Sequence, residues 1–292
     1  MAVLAAVTGA ANAQHPGGSR RAPPDAPDGQ ALIVEAAERL SKESAFQAQT
    51  RQRVELFGQR LVGTGIYLQK SSPRGLLLRW ELQLQLGAQR TTVQQISDGR
   101  FLWIRRVLPE GTVWSRVDLA RIRRAAGRRE PAPLANPSTN WLLLGGLPGL
   151  VAALAHNFQF GSPKPAETGG AKAWALEGVW KREKLQELLP DQKDAIAAGG
   201  PIDLARLPAQ LPTAVRVVLA QEDLTPYRIE YLRLAGPAAT GTGSAQSRTT
   251  VVLELSEVRR GGPIDDQLFS CTPGDQPVAD HTDLYLQTLG LQ

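Results

Sequence analysis

Cysteine and histidine are scarce in this chain, and their scarcity excludes several kinds of site. Cys271 is the only cysteine among 292 residues, and the chain has three histidines. A single thiol cannot form an internal disulfide, so the fold must be stabilised by packing. Cys271 is interpreted as a small buried hydrophobic residue at a strand end. No Cys/His grouping has the spacing of a zinc site, and the sequence predicts neither a metal centre nor a cofactor.

The motifs of common catalytic sites are also missing. The sequence contains no G-x-S-x-G nucleophile elbow, no H-E-x-x-H and no Walker loop, and Gly241–Ser244 lacks the lysine that a phosphate-binding loop needs. Two carboxylate pairs, Asp265-Asp266 and Asp280/Asp283, lie in loop-like segments and are interpreted as solvated turn residues. The protein is therefore predicted not to be an enzyme.

Aromatic residues make up only 5% of the chain, although the net charge is +5 and the pI near 9.6. Nucleic acid is not predicted as a partner, because single-strand grooves interleave basic with aromatic side chains and no such pattern occurs. Much of the positive charge lies in Arg121–Arg129. We interpret this stretch as a solvated loop or strand edge, with an anionic headgroup or phosphate partner as the alternative.

Long apolar runs of about 20 residues, as needed to span a bilayer, are absent. Residues 1–13 form a short apolar run ending in Ala11-Asn12-Ala13, which is typical of a partial signal peptide cleaved before Gln14. An Ala-rich tail is the alternative. Residues 14–30 have the Pro/Gly-rich composition of a linker, and residues 31–292 are predicted to form one domain. We expect an exported, soluble protein in the periplasm.

The chain is rich in alternating strands. In Leu76–Leu86, apolar residues alternate with Arg79, Glu81, Gln83 and Gln85, so that one face is apolar and the other wet. Asp98-Gly99 supplies the positive-φ residue of a tight hairpin turn, after which Phe101 and Trp103 point to one side of the sheet. The pattern predicts a broad antiparallel sheet with an apolar face.

The other predicted elements follow from periodicity and from breaks at glycine and proline. They are a helix over Ala31–Ser41; strands over Phe46–Phe57, Leu61–Lys70 (with a bulge or bend at Gly63 and Gly65), Thr91–Ile96, Phe101–Val107, Thr112–Leu119, Ala171–Trp180, Ala214–Gln221, Tyr227–Leu234, Thr249–Val258 and Gln267–Ser270; helices over Pro148–Phe158 and Lys184–Ile196; and a long hairpin loop over Gly236–Ser247.

Six tryptophans are spread over these elements. Each taken alone is best interpreted as a core residue, whereas together they favour a cavity. The cover of the apolar face would be short helices interrupted by Gly145-Gly146 and Pro148. Such a cover is either a movable lid or an irregular helix.

Several short motifs, in this order and spacing, resemble those of the LolA-type periplasmic lipoprotein carriers over roughly Ala31–Asp280. The fold is shared by LppX/LprG-type lipid carriers and RseB-type envelope-stress sensors. The motifs are Gly63-x-Gly65, Arg74, Trp80 six residues later, Ser97-Asp98-Gly99-x-x-Leu102-Trp103, and Phe269-x-x-x-Pro273-Gly274.

The resemblance implies an α+β fold, an open antiparallel half β-barrel with short helices forming a lid over its concave apolar face. It implies a carrier whose cavity takes acyl chains of a lipoprotein or a related lipid, with membrane donor and acceptor proteins as further partners. By the resemblance Arg74 gates the lid; the alternative is a solvated turn residue beside Pro73. The candidate lining residues are Leu78, Trp80, Leu82, Leu84, Phe101 and Trp103 on the sheet, and Trp141, Leu144, Leu150 and Leu154 on the cover.

Two points stay open at this stage. The alternative function is an RseB-like sensor or binding module on the same fold, without transport. The sequence does not determine the oligomeric state.

Overall fold

The computed structural model describes residues 27–56, 59–73, 75–86, 89–127, 142, 145–234 and 247–291. These residues form thirteen strands and six α-helices. The strands are β1 (Ala45–Leu56), β2 (Gln59–Ser72), β3 (Gly75–Leu86), β4 (Gln89–Ser97), β5 (Phe101–Leu108), β6 (Gly111–Asp118), β7 (Phe158–Phe160), β8 (Lys164–Thr168), β9 (Ala171–Trp180), β10 (Ala214–Ala220), β11 (Pro226–Leu234), β12 (Ser247–Arg260) and β13 (Val278–Asp280). The helices are α1 (Gly29–Lys42), α2 (Leu119–Ala126), α3 (Gly146–Asn157), α4 (Arg182–Leu188), α5 (Lys193–Ala197) and α6 (Thr282–Thr288).

All thirteen strands belong to one open, curved sheet in the order β13-β6-β5-β4-β3-β2-β1-β12-β11-β10-β9-β7, with β8 also paired to β9. Only the short pair of β13 with β6 is parallel. The sheet does not close into a barrel, because its end strands β13 and β7 do not pair with each other. The predicted α+β class and open antiparallel sheet are confirmed.

The turn between β4 and β5 forms as its sequence predicts. Gly99 has a φ of +89°, and the Asp98 backbone N–H donates to the Phe101 carbonyl oxygen at 3.2 Å. The Asp98 carboxylate accepts from the backbone N–H of Arg100 at 2.8 Å and of Phe101 at 2.7 Å. These bonds fix the register of the β4–β5 hairpin.

Gly63 and Gly65 do not mark a bulge, because the register of β2 with both neighbouring strands is uninterrupted. A bulge lies instead in β1, between Gln47 and Gln49. Glycine at position 65 is explained by close approach: an added Cβ would lie 1.7 Å from the carbonyl oxygen of Glu81. The absence of a side chain therefore lets β2 and β3 pack closely at this point.

Four other predictions are corrected. The predicted helix Lys184–Ile196 is broken into α4 and α5 by a 3₁₀ turn that begins at Pro190, because proline cannot continue the helical hydrogen bonds. The arginine-rich stretch is not a loop over its described part but helix α2, whose first turn is capped by the Asp118 carboxylate. The segment Gln267–Ser270 contains a 3₁₀ turn capped by Asp265 rather than a strand.

The fourth correction concerns the start of the first helix. Helix α1 begins at Gly29, two residues earlier than predicted, because the Asp28 side chain caps it there. Strands β7, β8 and β13 and helix α6 were not predicted. Residues 1–26 and the predicted loop Gly236–Ser247, apart from Ser247 at the start of β12, lie outside the described residues.

The sheet has apolar side chains on both faces, but the two faces are covered differently. On the core face, the main hydrophobic cluster joins the sheet to α1 and α3. On the outer face, a small second cluster packs beneath the segment that follows β12, and its members are Ala45, Leu68, Ile96, Ile264 and Phe269. Among the described helices none is long and apolar enough to cross a bilayer.

Candidate functional site

Five of the predicted lining residues meet on the core face. Leu78, Trp80 and Leu82 on β3 are 2–3% exposed, and they belong to the same cluster as Leu150 and Leu154 of α3. Leu84 is half-buried and packs against this cluster. The structure therefore places these three sheet residues and these two cover residues in one hydrophobic cluster.

Phe101 and Trp103 lie on the opposite face. Leu78 pairs with Ser97, which pairs with Leu102, so Leu102 faces the core and its neighbours in β5 face outward. Trp103 accordingly packs against the second cluster. The prediction that both aromatic residues line the same cavity as Leu78 is wrong, because side chains that pair directly across strands share a face.

Three candidate residues, Arg74, Trp141 and Leu144, lie outside the described residues. Leu142, between the last two, is described and is buried in the main cluster. Of the predicted cover, the structure thus describes Leu142 and the carboxyl-terminal part, helix α3.

Helix α3 rests directly on the sheet. It is preceded by Gly145 with a φ of +97° and begins at Gly146 with a φ of +69°. A Cβ added at Gly146 would lie 2.4 Å from the Tyr67 hydroxyl oxygen and 2.8 Å from a methyl carbon of Leu78. The described start of α3 is therefore packed against β2 and β3 with no room for an acyl chain between them in this conformation.

A chain of buried hydrogen bonds, the Tyr67 bridge, joins α3 to β2 and α1. The Leu147 backbone N–H donates to the Tyr67 hydroxyl at 3.0 Å, and that hydroxyl donates to Gln69 Oε1 at 2.8 Å. Gln69 Nε2 donates to the Leu40 carbonyl oxygen at 3.1 Å. Burial raises the pKa of Tyr67, and the hydrogen bond from the Leu147 N–H offsets this rise only partly. The phenol therefore stays protonated, as the Tyr67 bridge requires.

The sequence analysis missed this bridge, although a signal was present. Tyr67 and Gln69 occupy alternate positions of β2, and both are fully buried. A buried glutamine on the apolar face of a strand needs hydrogen-bond partners, so it predicts a polar contact inside the core.

The tryptophan indoles are held by the protein itself. Four described indole N–H groups donate to protein oxygens, which supports a packing role for each ring. The pairs are Trp80 with Thr50 Oγ1 at 3.4 Å, Trp103 with Asp98 Oδ2 at 3.0 Å, Trp114 with Gln276 Oε1 at 2.6 Å, and Trp180 with the Pro212 carbonyl oxygen at 2.7 Å.

A groove of about 650 Å³ lies at the end of β9 and was not predicted. Apolar side chains that line it include Val179, Trp180, Leu185 and Ile202, and Lys181 adds a positive charge. Val179 is 59% exposed, so the groove is accessible without movement of the chain. Its volume is within the range of small-molecule sites.

The polar groups that the sequence singled out are engaged in the fold. Among the described residues no group of three or more His, Cys, Asp or Glu could hold a metal. Burial and the nearby Asp98 carboxylate raise the pKa of Cys271 to about 11, which keeps the thiolate scarce. The carboxylate ion pairs are Asp266 with Lys70 at 2.6 Å, Asp280 with Arg116 at 3.2 Å and Asp283 with Arg121 at 2.8 Å.

Comparisons with known proteins give similarity at the level of fold. No family model matches the chain, and no curated protein matches it. Among solved structures, MucB in complex with MucA(peri) is 15% identical, with a TM-score of 0.40; the match covers 84% of this chain and 60% of that one. The lipoprotein LppX of Mycobacterium tuberculosis is 11% identical, with a TM-score of 0.39 and coverage of 81% and 97%.

A LolA superfamily protein of Nitrosomonas europaea is 14% identical, with a TM-score of 0.31 and coverage of 84% and 99%. At these identities the similarity concerns fold alone, so the function below is derived from the contacts of this chain.

Proposed function

We propose that this protein is a periplasmic carrier that binds the acyl chain of a lipoprotein or another lipid between the core face of its sheet and helix α3. One observation supports this proposal above the others. Nine of the twelve residues of α3 are buried, yet the helix begins at two positive-φ glycines and is tied to β2 through the Tyr67 bridge. Glycines at the start of a helix permit it to swing as a unit.

The packed interior is the ligand-free state in this proposal. Exposing four aliphatic side chains of α3, Leu147, Leu150, Val151 and Leu154, costs about 6–12 kcal/mol at about 1.5–3 kcal/mol each. A sixteen-carbon acyl chain gains on the order of 12 kcal/mol at about 0.8 kcal/mol per methylene. Because the two quantities are similar, exchange of α3 for an acyl chain is close to balanced, and such a balance allows both capture and release.

Transfer in this scheme follows differences in affinity between donor, carrier and acceptor. It requires no bond to be made or broken, so we propose no catalytic role for any residue. Polar donors inside the cluster are few, which suits an acyl chain better than a polar ligand.

The test uses two tryptophans on opposite faces of the sheet, Trp80 on β3 and Trp103 on β5. The protein is incubated with a brominated acyl chain, which quenches nearby indole fluorescence, and native mass spectrometry counts the bound ligand. We expect quenching that is reduced in Trp80→Phe and retained in the matched control Trp103→Phe, because of these two residues Trp80 belongs to the cluster that contains α3 and Trp103 packs on the outer face. Ligand-free protein only, or quenching that depends on Trp103 instead, would contradict the proposal.

A binding module without transport is the second candidate, and the groove at the end of β9 favours it. This groove is open in the present conformation, so a ligand can enter it while α3 stays in place. Quenching that disappears in Trp180→Phe and survives in Trp80→Phe would place the acyl chain there. Recovery of one membrane-anchored signalling protein without lipid would favour the sensor function.

A further inference from the structure

Five arginines lie on β5, β6, α2 and the Asp98–Phe101 turn, and the contacts of Arg100, Arg116 and Arg123 place these three at the turn. We call all five the arginine cluster; they are Arg100, Arg105, Arg116, Arg123 and Arg124. The fold brings Arg100, Arg116 and Arg123 together because α2 follows β6 directly and returns to the turn. The Leu119 backbone N–H donates to the Arg100 carbonyl oxygen at 3.0 Å, and Arg123 donates to the Gly99 carbonyl oxygen at 2.9 Å.

Aromatic rings hold several of these guanidinium groups in place. The guanidinium carbons of Arg100 and Arg116 lie 4.9 and 5.0 Å from the centre of the Phe101 ring, and that of Arg105 lies 5.6 Å from the Trp114 ring. Stacking orients a guanidinium while its N–H edge remains available to an acceptor. The cluster thus presents oriented donors rather than freely rotating chains.

Within the described residues the cluster contains one ion pair, that of Arg116 with Asp280 at 3.2 Å. On β10 and β11, Arg216 and Arg228 each form ion pairs with two glutamates. In the part of the chain that the structure describes, no carboxylate lies within ion-pair distance of Arg100, Arg105 or Arg124.

We infer that the arginine cluster docks the protein on an anionic phospholipid bilayer, with guanidinium groups binding headgroup phosphates. Phosphate is the anion that a planar guanidinium binds best, through two parallel hydrogen bonds. Basic residues near such a surface each strengthen binding, and several of them act together. Single-stranded nucleic acid fits less well, because the Phe101 ring is already stacked with arginines and offers no platform for a base.

The test measures co-sedimentation of the full chain with phosphatidylglycerol vesicles and with phosphatidylcholine vesicles. The variant Arg100→Gln/Arg124→Gln removes two exposed arginines that form no ion pair with any described residue. The matched control Arg51→Gln/Arg259→Gln removes two exposed arginines from β1 and β12, which lie four and five strands from β5 in the sheet order. Both variants have the same net charge.

We expect the wild-type protein to bind phosphatidylglycerol vesicles, to leave phosphatidylcholine vesicles unbound, and to dissociate at high salt. The cluster variant should bind about 30-fold more weakly, at roughly fivefold for each arginine, while the control stays near the wild type. Absence of binding to phosphatidylglycerol, or equal loss in both variants, would overturn the inference. An unchanged cluster variant would overturn it as well and would direct attention to a protein partner.

This inference goes beyond the proposed function and does not depend on it. Quenching of Trp80 by the brominated acyl chain is measured without vesicles, and the cluster variant should retain it. Absence of vesicle binding with intact acyl binding would contradict this inference alone. Absence of acyl binding with intact vesicle binding would contradict the proposed function alone.

Discussion

The sharpest test of α3 as a movable cover is the replacement Tyr67→Phe. Only the hydroxyl is removed, so the ring continues to fill its place beside Phe46, with which it makes an edge contact at 6.1 Å. The loss falls on the Leu147 backbone N–H and on Gln69 Oε1, both of which use that hydroxyl as a partner.

The size of the effect follows from the burial of the Tyr67 bridge. Tyr67 and Gln69 are both fully buried, so the groups left behind cannot turn to water while α3 is closed. A buried polar group without a partner costs about 1–3 kcal/mol. If the open state exposes these groups to water, the ratio of closed to open molecules falls by roughly 5- to 150-fold.

Two measurements on the same protein separate the explanations. Urea unfolding should show a loss of about 1–3 kcal/mol in Tyr67→Phe. Stopped-flow quenching by the brominated acyl chain should show faster uptake, because opening precedes binding. A normal uptake rate together with the expected loss of stability would refute the reasoning, since α3 would then be a fixed core helix.

Tyr231→Phe is the matched control. Tyr231 is also buried in the main cluster, but its hydroxyl has no hydrogen-bond partner among the described residues. Its removal should leave the free energy of unfolding unchanged or raise it, and should leave the uptake rate unchanged.

The remaining predictions concern the sheet and the titrating groups. Gly65→Ala should lose about 1–3 kcal/mol in urea unfolding, because its Cβ meets a carbonyl oxygen of β3 at 1.7 Å, whereas Gly161→Ala, with nothing within 4 Å, should be neutral or slightly stabilising. Burial raises the pKa of Asp223, but hydrogen bonds from a threonine two residues on and from Arg260 together bring it below the ordinary value. Asp223 therefore stabilises the fold at pH values above the ordinary pKa of an aspartate, and this stabilisation is lost as the pH falls through the lowered pKa of the folded state. The free energies of unfolding of Asp223→Asn and wild type should differ at pH 7 and converge in strong acid. Cys271, with a pKa of about 11 against an ordinary 9.0, should react with maleimide at pH 8 about a hundredfold more slowly than after unfolding.

The sequence was sufficient for those features that local patterns determine. The alternation of Leu78, Trp80 and Leu82 predicted a strand with one apolar face, and the structure buries all three. Asp98-Gly99 predicted the turn because the backbone requirement there is local. Strand pairing of the hairpins followed from these two kinds of signal.

Features that depend on register between distant segments could not be obtained in this way. The alternation of side chains along a strand predicts that Phe101 and Leu102 face opposite sides of the sheet. Which side is the core is decided only by the pairing of Leu102 with Ser97, and of Ser97 with Leu78. The Tyr67 bridge depends on a helix eighty residues away in the chain. The groove at the end of β9 likewise joins segments whose proximity no local pattern encodes.

The two proposed sites lie at the same end of the sheet, and this placement gives them a common consequence. The start of α3 rests on Leu78, which is connected through Ser97 to Leu102, next to the turn that carries Arg100. A protein docked on a bilayer through the arginine cluster would therefore hold this end of the sheet at the headgroups, with the glycine-flanked start of α3 on the opposite face of the same end. An acyl chain that leaves the core face as α3 swings away from this end would have only a short path through water. Because each exposed methylene costs about 0.8 kcal/mol, shortening that path is what lowers the barrier to transfer.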